Sequence, residues 1–532
     1  MKLATRLAIV AVLGVSNAAF GSDWYVDAVS GSDANDGASP ATAWKTLTHA
    51  IASVPNPTAG HAIHLAAGVY DAQNGEQYPL HVRNHMQILG AGRDVTVLSA
   101  TAGSLLVYES SLTPPFGDPI AADTLARGLT MRDASVGVEI KSTWNPVAPS
   151  FEDLRLTALS TAAVTVTASS SIGGHSASAN FTSVDVDGCG AGFVLSGTAT
   201  LDGIALAGLT ATDVAIAGCA SDGVRMTTTA SDVQAFAHVS AVLERCRLSG
   251  NGTSGVRIQG LLSSHARCQL SARSTLFASN GDCGVLTTGG APPTGMPLVD
   301  LHECTLADNA SAGLRTHGHL ARVGGSVFFG NGDDLDVRGV LEAQTSSSGD
   351  ADLLGFPGCI QADPLFVAPA LGDFRLRFVS PCVETGDPAA AGALDLLGHL
   401  RPFDGDLDTR KAPDMGAFEL ETLHRIGTPT LGQPFGFEFW GASGARSTLL
   451  LAKSGLTAPQ ATPFGDLYLD PGLLVVLGTV PAGPGRPFVL RRTVPSNPAL
   501  VGQTFSFQAL TGSAIAPAGK AYTNPTTFVV RP

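Results

Sequence analysis

The chain is poor in charge, in lysine and, through its middle, in tryptophan and tyrosine. Charged residues make up 14% of its 532 residues, against about 25% in an average soluble domain. No lysine occurs between Lys141 and Lys411, and residues 151–420 contain neither tryptophan nor tyrosine. No run of Lys and Arg offsets the formal net charge of −14, so the electrostatic footprint of a nucleic-acid partner or an anionic membrane is missing. No apolar run approaches the ~20 residues that span a bilayer, which argues against a transmembrane segment. The eight cysteines include no Cys-x-x-Cys pair, and with it goes the usual zinc spacing.

What is abundant is glycine, 62 residues, with 32 prolines; both disfavour helix interiors. The bulk of Ala, Val, Leu, Ser and Thr suits short strands joined by many turns, an all-β chain. At the N-terminus Lys2 and Arg6 precede the apolar stretch Leu7 to Val15 and small residues around Ala18 to Gly21. That is the pattern of a secretory signal peptide over residues 1–21 and of a secreted, extracellular or cell-surface protein.

The segment SGNGTSGV carries Gly250, Gly252 and Gly255 at the G-x-G-x-x-G spacing of a dinucleotide turn. That turn needs a following helix and an acidic residue about 20 positions on. Here VRIQGLL follows, at strand spacing, and no Asp or Glu occurs before Asp282, so no nucleotide cofactor is expected. The segment instead aligns with its neighbours. Cys189, Cys219, Asn251, Asn280, Asn309 and Asn331 mark successive copies, separated by 30, 32, 29, 29 and 22 residues. Such an irregular period fits the coils of a parallel β-helix, in which like residues stack about 4.8 Å apart. Asn tolerates the left-handed backbone of a corner, and stacked Asn side chains bond to one another. Cys246 and Cys304 share a second column with Thr275 between them, two rungs apart and beyond disulfide reach, so both are read as buried thiols. Cys359 and Cys382 bracket a loop-rich stretch and form the expected disulfide, for which loop closure contributes about 3 kcal/mol.

Near the N-terminus, Ser39 and Pro40 can start a helix with Trp44, Leu47, Ile51 and Val54 on one face, a cap for the open end of a solenoid. With the stretches YVDAVSGSDANDGASPATAWKTL, GVYDAQ and ILGAG, the chain resembles secreted right-handed parallel β-helix proteins with a pectin-lyase-like fold, including their DUF1565-like N-terminal region. The later ADPLFVAPALGDFRLRFVSPCVETGDP and RPFDGDLDTRKAPDMGAFE resemble the segment that ends such helices in bacterial surface proteins. The resemblance implies architecture over residues 23 to 420 and leaves activity open, since the family includes lyases, hydrolases and adhesin-like proteins. The expected domains are a solenoid with its cap and terminal segment over residues 22–423, and a C-terminal β-sandwich over 424–532, where Phe435, Phe437 and Phe439 alternate.

Candidate chemistry is sparse. Asp404, Asp406 and Asp408 alternate in DGDLD, a set that fits either a calcium ion or turn capping; Thr409 replaces the Gly of an EF-hand loop. Asp33, Asn35 and Asp36 read as an ordinary turn. A lyase needs a basic side chain to abstract a proton; lysine is absent from the central coils, which leaves Arg225, Arg257, Arg315 and Arg322. The adjacent Asp333 and Asp334, and His317 and His319, read as surface turns. Flat aromatic side chains serve sugar clefts, and Trp24, Tyr25, Tyr70, Tyr78, Tyr108 and Trp144 place any glycan groove on the N-terminal coils, with Trp24, Tyr70, Tyr78 and Trp144 as its candidate contacts, beside the insertions SSLTPPFGDPIAAD and KSTWNPVAPS. The sequence therefore supports a non-catalytic exported β-helix whose partner is a polysaccharide or cell-envelope component, with calcium as the cofactor to test. The alternative is a polysaccharide lyase or glycoside hydrolase acting on acidic polysaccharide.

Overall fold

In the computed structural model, residues 22–54, 60–111, 118–260, 265–289, 299–389, 392–441, 445–453, 455–481 and 488–532 are described. The leader expected over residues 1–21 and the centre of the SSLTPPFGDPIAAD insertion lie outside them.

Strands from Asp23–Val26 to Ile360–Gln361 join a single parallel sheet. Each strand pairs with its equivalent one coil away: Asp23–Val26, His61–Leu65, Met86–Gly90, Leu125–Arg132 and Ser150–Thr157 pair in turn. Alternation then sorts side chains in columns. Trp24, Ile63, Ile88, Ala126, Phe151 and Phe181 share one register, and all but Trp24 are buried. Phe151 stacks on Phe181 with ring centroids 4.6 Å apart. The neighbouring register, Tyr25, His64, Leu89, Arg127 and Glu152, is at least partly exposed at every position. This is the parallel β-helix that the repeats imply.

The corner column is a hydrogen-bonded ladder. Asn251 Nδ2 donates to Asn280 Oδ1 at 3.0 Å, Asn280 Nδ2 to Asn309 Oδ1 at 2.9 Å and Asn309 Nδ2 to Asn331 Oδ1 at 2.8 Å. Asn331 Nδ2 donates in turn to the buried Asp334 carboxylate at 2.8 Å. Cys189 and Cys219 occupy the same corner, since the Ala220 and Gly252 amides donate to their carbonyls just as Gly281 does to Asn251. The segment SGNGTSGV is one such corner, followed by the strand Val256–Gly260. Gly255 is required by stacking: a Cβ there would lie 2.6 Å from the Gly284 carbonyl oxygen of the next rung. Cys246 and Cys304 are buried thiols, as expected, and their amides donate to Thr275 and Ser326 hydroxyls in a second ladder.

The N-terminal cap forms, but later than expected. Pro40–Thr42 is only a 3₁₀ turn, and the α-helix is Leu47–Ser53. Its start is set by Thr46, whose hydroxyl accepts the His49 amide, and by Glu76, whose buried carboxylate accepts the Leu47 and Thr48 amides. Trp44 precedes the helix and stacks on Trp24 at 5.0 Å, closing the first coil. Asp36 accepts the Ala38 amide and caps a local turn, whereas Asp33 accepts the Lys45 and Thr46 amides and ties this loop to the start of the helix.

The terminal segment does not simply end the coil; it folds back along the flank. Phe366, Phe374, Leu376, Cys382, Met415, Phe418 and Leu420 pack on the coil residues Leu276, Ala278, Ala307 and Val327. Arg401, fully buried, joins Glu303 of the solenoid at 3.4 Å and Glu419 of the segment at 3.1 Å. The expected Cys359–Cys382 disulfide is not formed. Both are free thiols, Cys382 within this flank cluster and Cys359 against the coil interior, in separate hydrophobic clusters.

Beyond it, antiparallel sheets form a sandwich. The sheet of Leu423–Ile426, Pro434–Phe439 and Phe488–Thr493 faces the sheet built on Arg446–Ala452 and Thr504–Gly512. Phe437 and Phe439 from the first share a core with Leu449, Phe507 and Phe528 from the second. Alternating phenylalanines put one apolar face of each sheet inside.

Candidate functional site

Candidate side chains gather at both ends of the solenoid. At the terminal segment the structure brings Asp404 and Asp406 together with Glu384, their carboxylate oxygens within 4.8 Å of one another. Asp408, the third residue expected there, is not in this group; its carboxylate accepts the Arg410 amide at 2.6 Å. Glu384 lies 20 residues upstream, which no local spacing rule could have indicated. Its carboxylate accepts the Gly405 amide at 2.6 Å, so it reads the fold of the DGDLD loop. Asp404 accepts the Asp408 and Thr409 amides. Burial, then the neighbouring acids, pushes the Glu384 carboxyl up to about 8 and Asp404 up to about 7. Asp406 is raised by burial and by Asp408. The loop is wedged against the sandwich by the buried Leu407, whose carbonyl accepts the Ser513 hydroxyl, and by the Lys411–Asp466 ion pair at 2.5 Å.

At the other end lies a cavity of about 420 Å³, lined by Tyr25, Asp27, Pro40, Ala43, His64, Leu65, Ala66, Leu89, Gly90, Ala91 and Arg127. The cap loop supplies Pro40 and Ala43, and the first coils supply the rest. Tyr25 and His64 sit on adjacent rungs and stack at 5.1 Å and 18°, and His64 Nε2 is 3.1 Å from the Asp23 carboxylate. Gly90 lines it through its backbone, and a Cβ there would lie 2.2 Å from the Gly128 carbonyl oxygen of the next rung. Asp27 is already engaged, accepting the Ser30 hydroxyl at 2.5 Å and the Val29 and Ser30 amides; the Ser30 hydroxyl holds its carboxyl below the usual range.

The aromatic residues singled out by the sequence largely serve the core instead. Tyr70 is fully buried and its hydroxyl donates to the Val26 and Ala66 carbonyls. Tyr78 donates to the Tyr70 carbonyl at 2.7 Å, and burial raises both phenols above their ordinary range. Trp24 stacks on the cap. Trp144 alone of the four is open, 46% exposed, with its ring 6.3 Å from His175. Tyr25, one residue from Trp24, is the side chain that faces the cavity; two adjacent aromatics leave the parity of the strand undecided from sequence alone.

The candidate basic residues are all paired. Arg225 and Arg257 both reach the buried Asp222, at 2.8 and 2.9 Å. Arg315 pairs with Asp336 and Arg322 with Glu342. His317 and His319 both bond to Thr287, so they are not a surface turn; His319 is buried. Asp333 and Asp334 diverge: Asp334 ends the Asn ladder while exposed Asp333 lies near Asp350 and Asp352.

With this geometry the chain is a parallel β-helix protein. The family model of a protein of unknown function, DUF1565, matches residues 29–115, the cap and the first coils. No curated protein matches the chain in sequence. Among solved structures it is similar to pectate lyase Pel9A, at 15% identity and a TM-score of 0.44 over 76% of this chain and 98% of that one. It is also similar to the A-module of the Azotobacter vinelandii mannuronan C-5 epimerase AlgE4, at 13% and 0.30 over 54% and 85%. The Dettilon tailspike protein follows at 10% and 0.33 over 90% and 74%. Among the described residues no helix is long and apolar enough to cross a membrane.

Proposed function

We propose that the protein works outside the cell or at its surface as a non-catalytic β-helix that binds a polysaccharide or cell-envelope component. The observation that supports this best is the pairing of Arg225, Arg257, Arg315 and Arg322 with carboxylates. A guanidinium held in a charge-assisted bond is a poor proton acceptor, and the central coils carry no lysine. Arg257, Arg315 and Arg322 act as staples between rungs, and Arg225 holds the same Asp222 from its own coil.

A calcium ion belongs to this reading. Glu384, Asp404 and Asp406 offer hard carboxylate oxygens within reach of one centre, the donor set that Ca²⁺ favours, with water or carbonyls completing the shell. Their crowding keeps protons on the cluster, and a bound cation relieves the same repulsion. The ion would tie the terminal segment to the loop that abuts the sandwich.

The raised carboxyls of Glu384 and Asp404 also favour a second reading, a glycoside hydrolase with a protonated general acid. Incubation with acidic polysaccharides, with and without Ca²⁺, decides between them. The binding reading expects neither new reducing ends nor unsaturated ends. Products abolished by Glu384→Gln overturn it.

A further inference from the structure

The two ends of the solenoid are finished differently. The first coil is closed by the helix Leu47–Ser53 and by Trp44 stacked on Trp24. At the other end the strand Leu335–Gln344 is outermost: among the described residues it pairs with Ala312–Gly324 of the coil before, and no strand pairs with its far edge. The chain that follows takes a short cut. Asp350 and Asp352 accept the Asp334 and Leu335 amides, and the Pro357 carbonyl accepts the Thr345 amide. Between these anchors it crosses the solenoid end, with Leu353 buried in the core, and leaves the edge of residues 336–344 bare.

A bare strand edge is a row of amides and carbonyls that templates another strand. The surface beside it is apolar. Val340 is 61% exposed and Leu354 57%. Val337 and Leu341 are only half-buried, although Thr316 and Ala321, their partners one rung earlier, are buried.

The charges on this edge complement themselves. Asp336, Arg338, Val340, Glu342 and Gln344 form the outward register, alternating with the inward Val337, Leu341 and Ala343. Two copies of the edge that meet antiparallel about a two-fold axis must keep outward residues opposite outward ones. With the axis at Val340, Arg338 of each copy faces the partner's Glu342, and Val340 lies on its own counterpart. An axis at Gly339 instead sets Asp336 against Glu342, two like charges, and an axis at Leu341 sets Val340 against Glu342 with no ion pair. Only the first register puts opposite charges across the axis. Arg338 already bonds to Asp336 at 3.0 Å with its side chain 67% exposed, and Glu342 to Arg322 at 3.0 Å. Pairing joins these into a row of alternating sign, a network rather than an isolated surface pair.

We propose that the bare edge of the last coil is an interface between two copies of this chain, joined end to end by antiparallel pairing of residues 336–344 about Val340. The second copy covers Val340 and Leu354 and takes up the unpaired backbone groups. The helical caps then close the two far ends of a doubled solenoid.

The test is sedimentation velocity of the full chain over a concentration series reaching about 100 μM, with amide hydrogen exchange at both extremes. The wild type is expected to pass from monomer to dimer, and amides within residues 336–344 to gain protection as it does. Val340→Lys sets two cations together on the axis and weakens the dimer about tenfold or more; its unfolding at low concentration matches that of the wild type, because Val340 is exposed in the monomer. Arg338→Glu and Glu342→Arg each put like charges opposite one another, so each alone stays monomeric, and an equimolar mixture of the two restores the dimer. A merely structural role for either residue does not produce that rescue. A wild type that is monomeric throughout overturns the proposal. Protection of residues 336–344 already present in the monomer assigns the edge to another segment of the same chain and overturns it too. A dimer indifferent to all three substitutions forms elsewhere, and a mixture that fails to associate rules out the pairing about Val340.

Discussion

Asn280 makes four hydrogen bonds through one amide group: it accepts from the Asn251 amide and side chain and donates to Leu248 and Asn309. Removing it leaves buried donors and acceptors unmet on two neighbouring rungs, and each unmet group costs about 1–3 kcal/mol. Asn280→Ala is therefore expected to lower stability by about 3 kcal/mol, read from the urea unfolding midpoint. Arg401 is the second such residue. Its guanidinium is fully buried between Glu303 and Glu419, and Arg401→Ala strands both acids, a loss of about 3–5 kcal/mol. A smaller loss than that of an exposed control, Arg338→Ala, sinks this account of the flank. The Asn column was legible because its residue type recurs. Arg401 was not, because its partner Glu303 lies 98 positions away on another element.

The cap shows how an element escapes a local reading. Its apolar face, Leu47, Ile51 and Val54, was visible from spacing, and those residues are buried. Its start was not visible, because the decisive acceptor is Glu76, beyond the following strands. Glu76→Ala leaves the Leu47 and Thr48 amides without their acceptor; about 1–2 kcal/mol is expected, together with faster amide exchange confined to Leu47–Ser53. Uniform exchange across the coils would show that the cap has no local role. The terminal segment was recognisable by resemblance, and the sandwich by alternation. That the segment lies back along the coil follows from apolar residues on strands such as Leu276 and Val327, whose outward faces gave no sign in sequence of what would cover them.

On the scale of the whole molecule, the acidic cluster sits where segment and sandwich meet, and so links pH to their union. Glu384 and Asp404 hold protons more firmly in the folded state, up to about 8 and about 7. Between the ordinary carboxylate range and those values the native chain binds more protons than the unfolded one, so stability falls as pH rises. In a chelator, the melting temperature is expected to drop from pH 5 to pH 8.5, and millimolar Ca²⁺ to restore it at the upper end. Glu384→Gln should flatten the pH dependence and blunt the calcium response. A flat profile in the wild type would remove the cluster from this role.

The Asn ladder also has a direction. Each amide passes its donor forward to the next rung, from Asn251 to Asn331, so the small dipoles add head to tail rather than cancel. Such a queue needs a final member that only accepts, and Asp334 is that member. A carboxylate at the positive end of the row both completes it and stops it. Lengthening the solenoid by one more rung of this kind would give Asn331 Nδ2 an asparagine acceptor on the following coil and release Asp334, three residues along its own coil, from that duty.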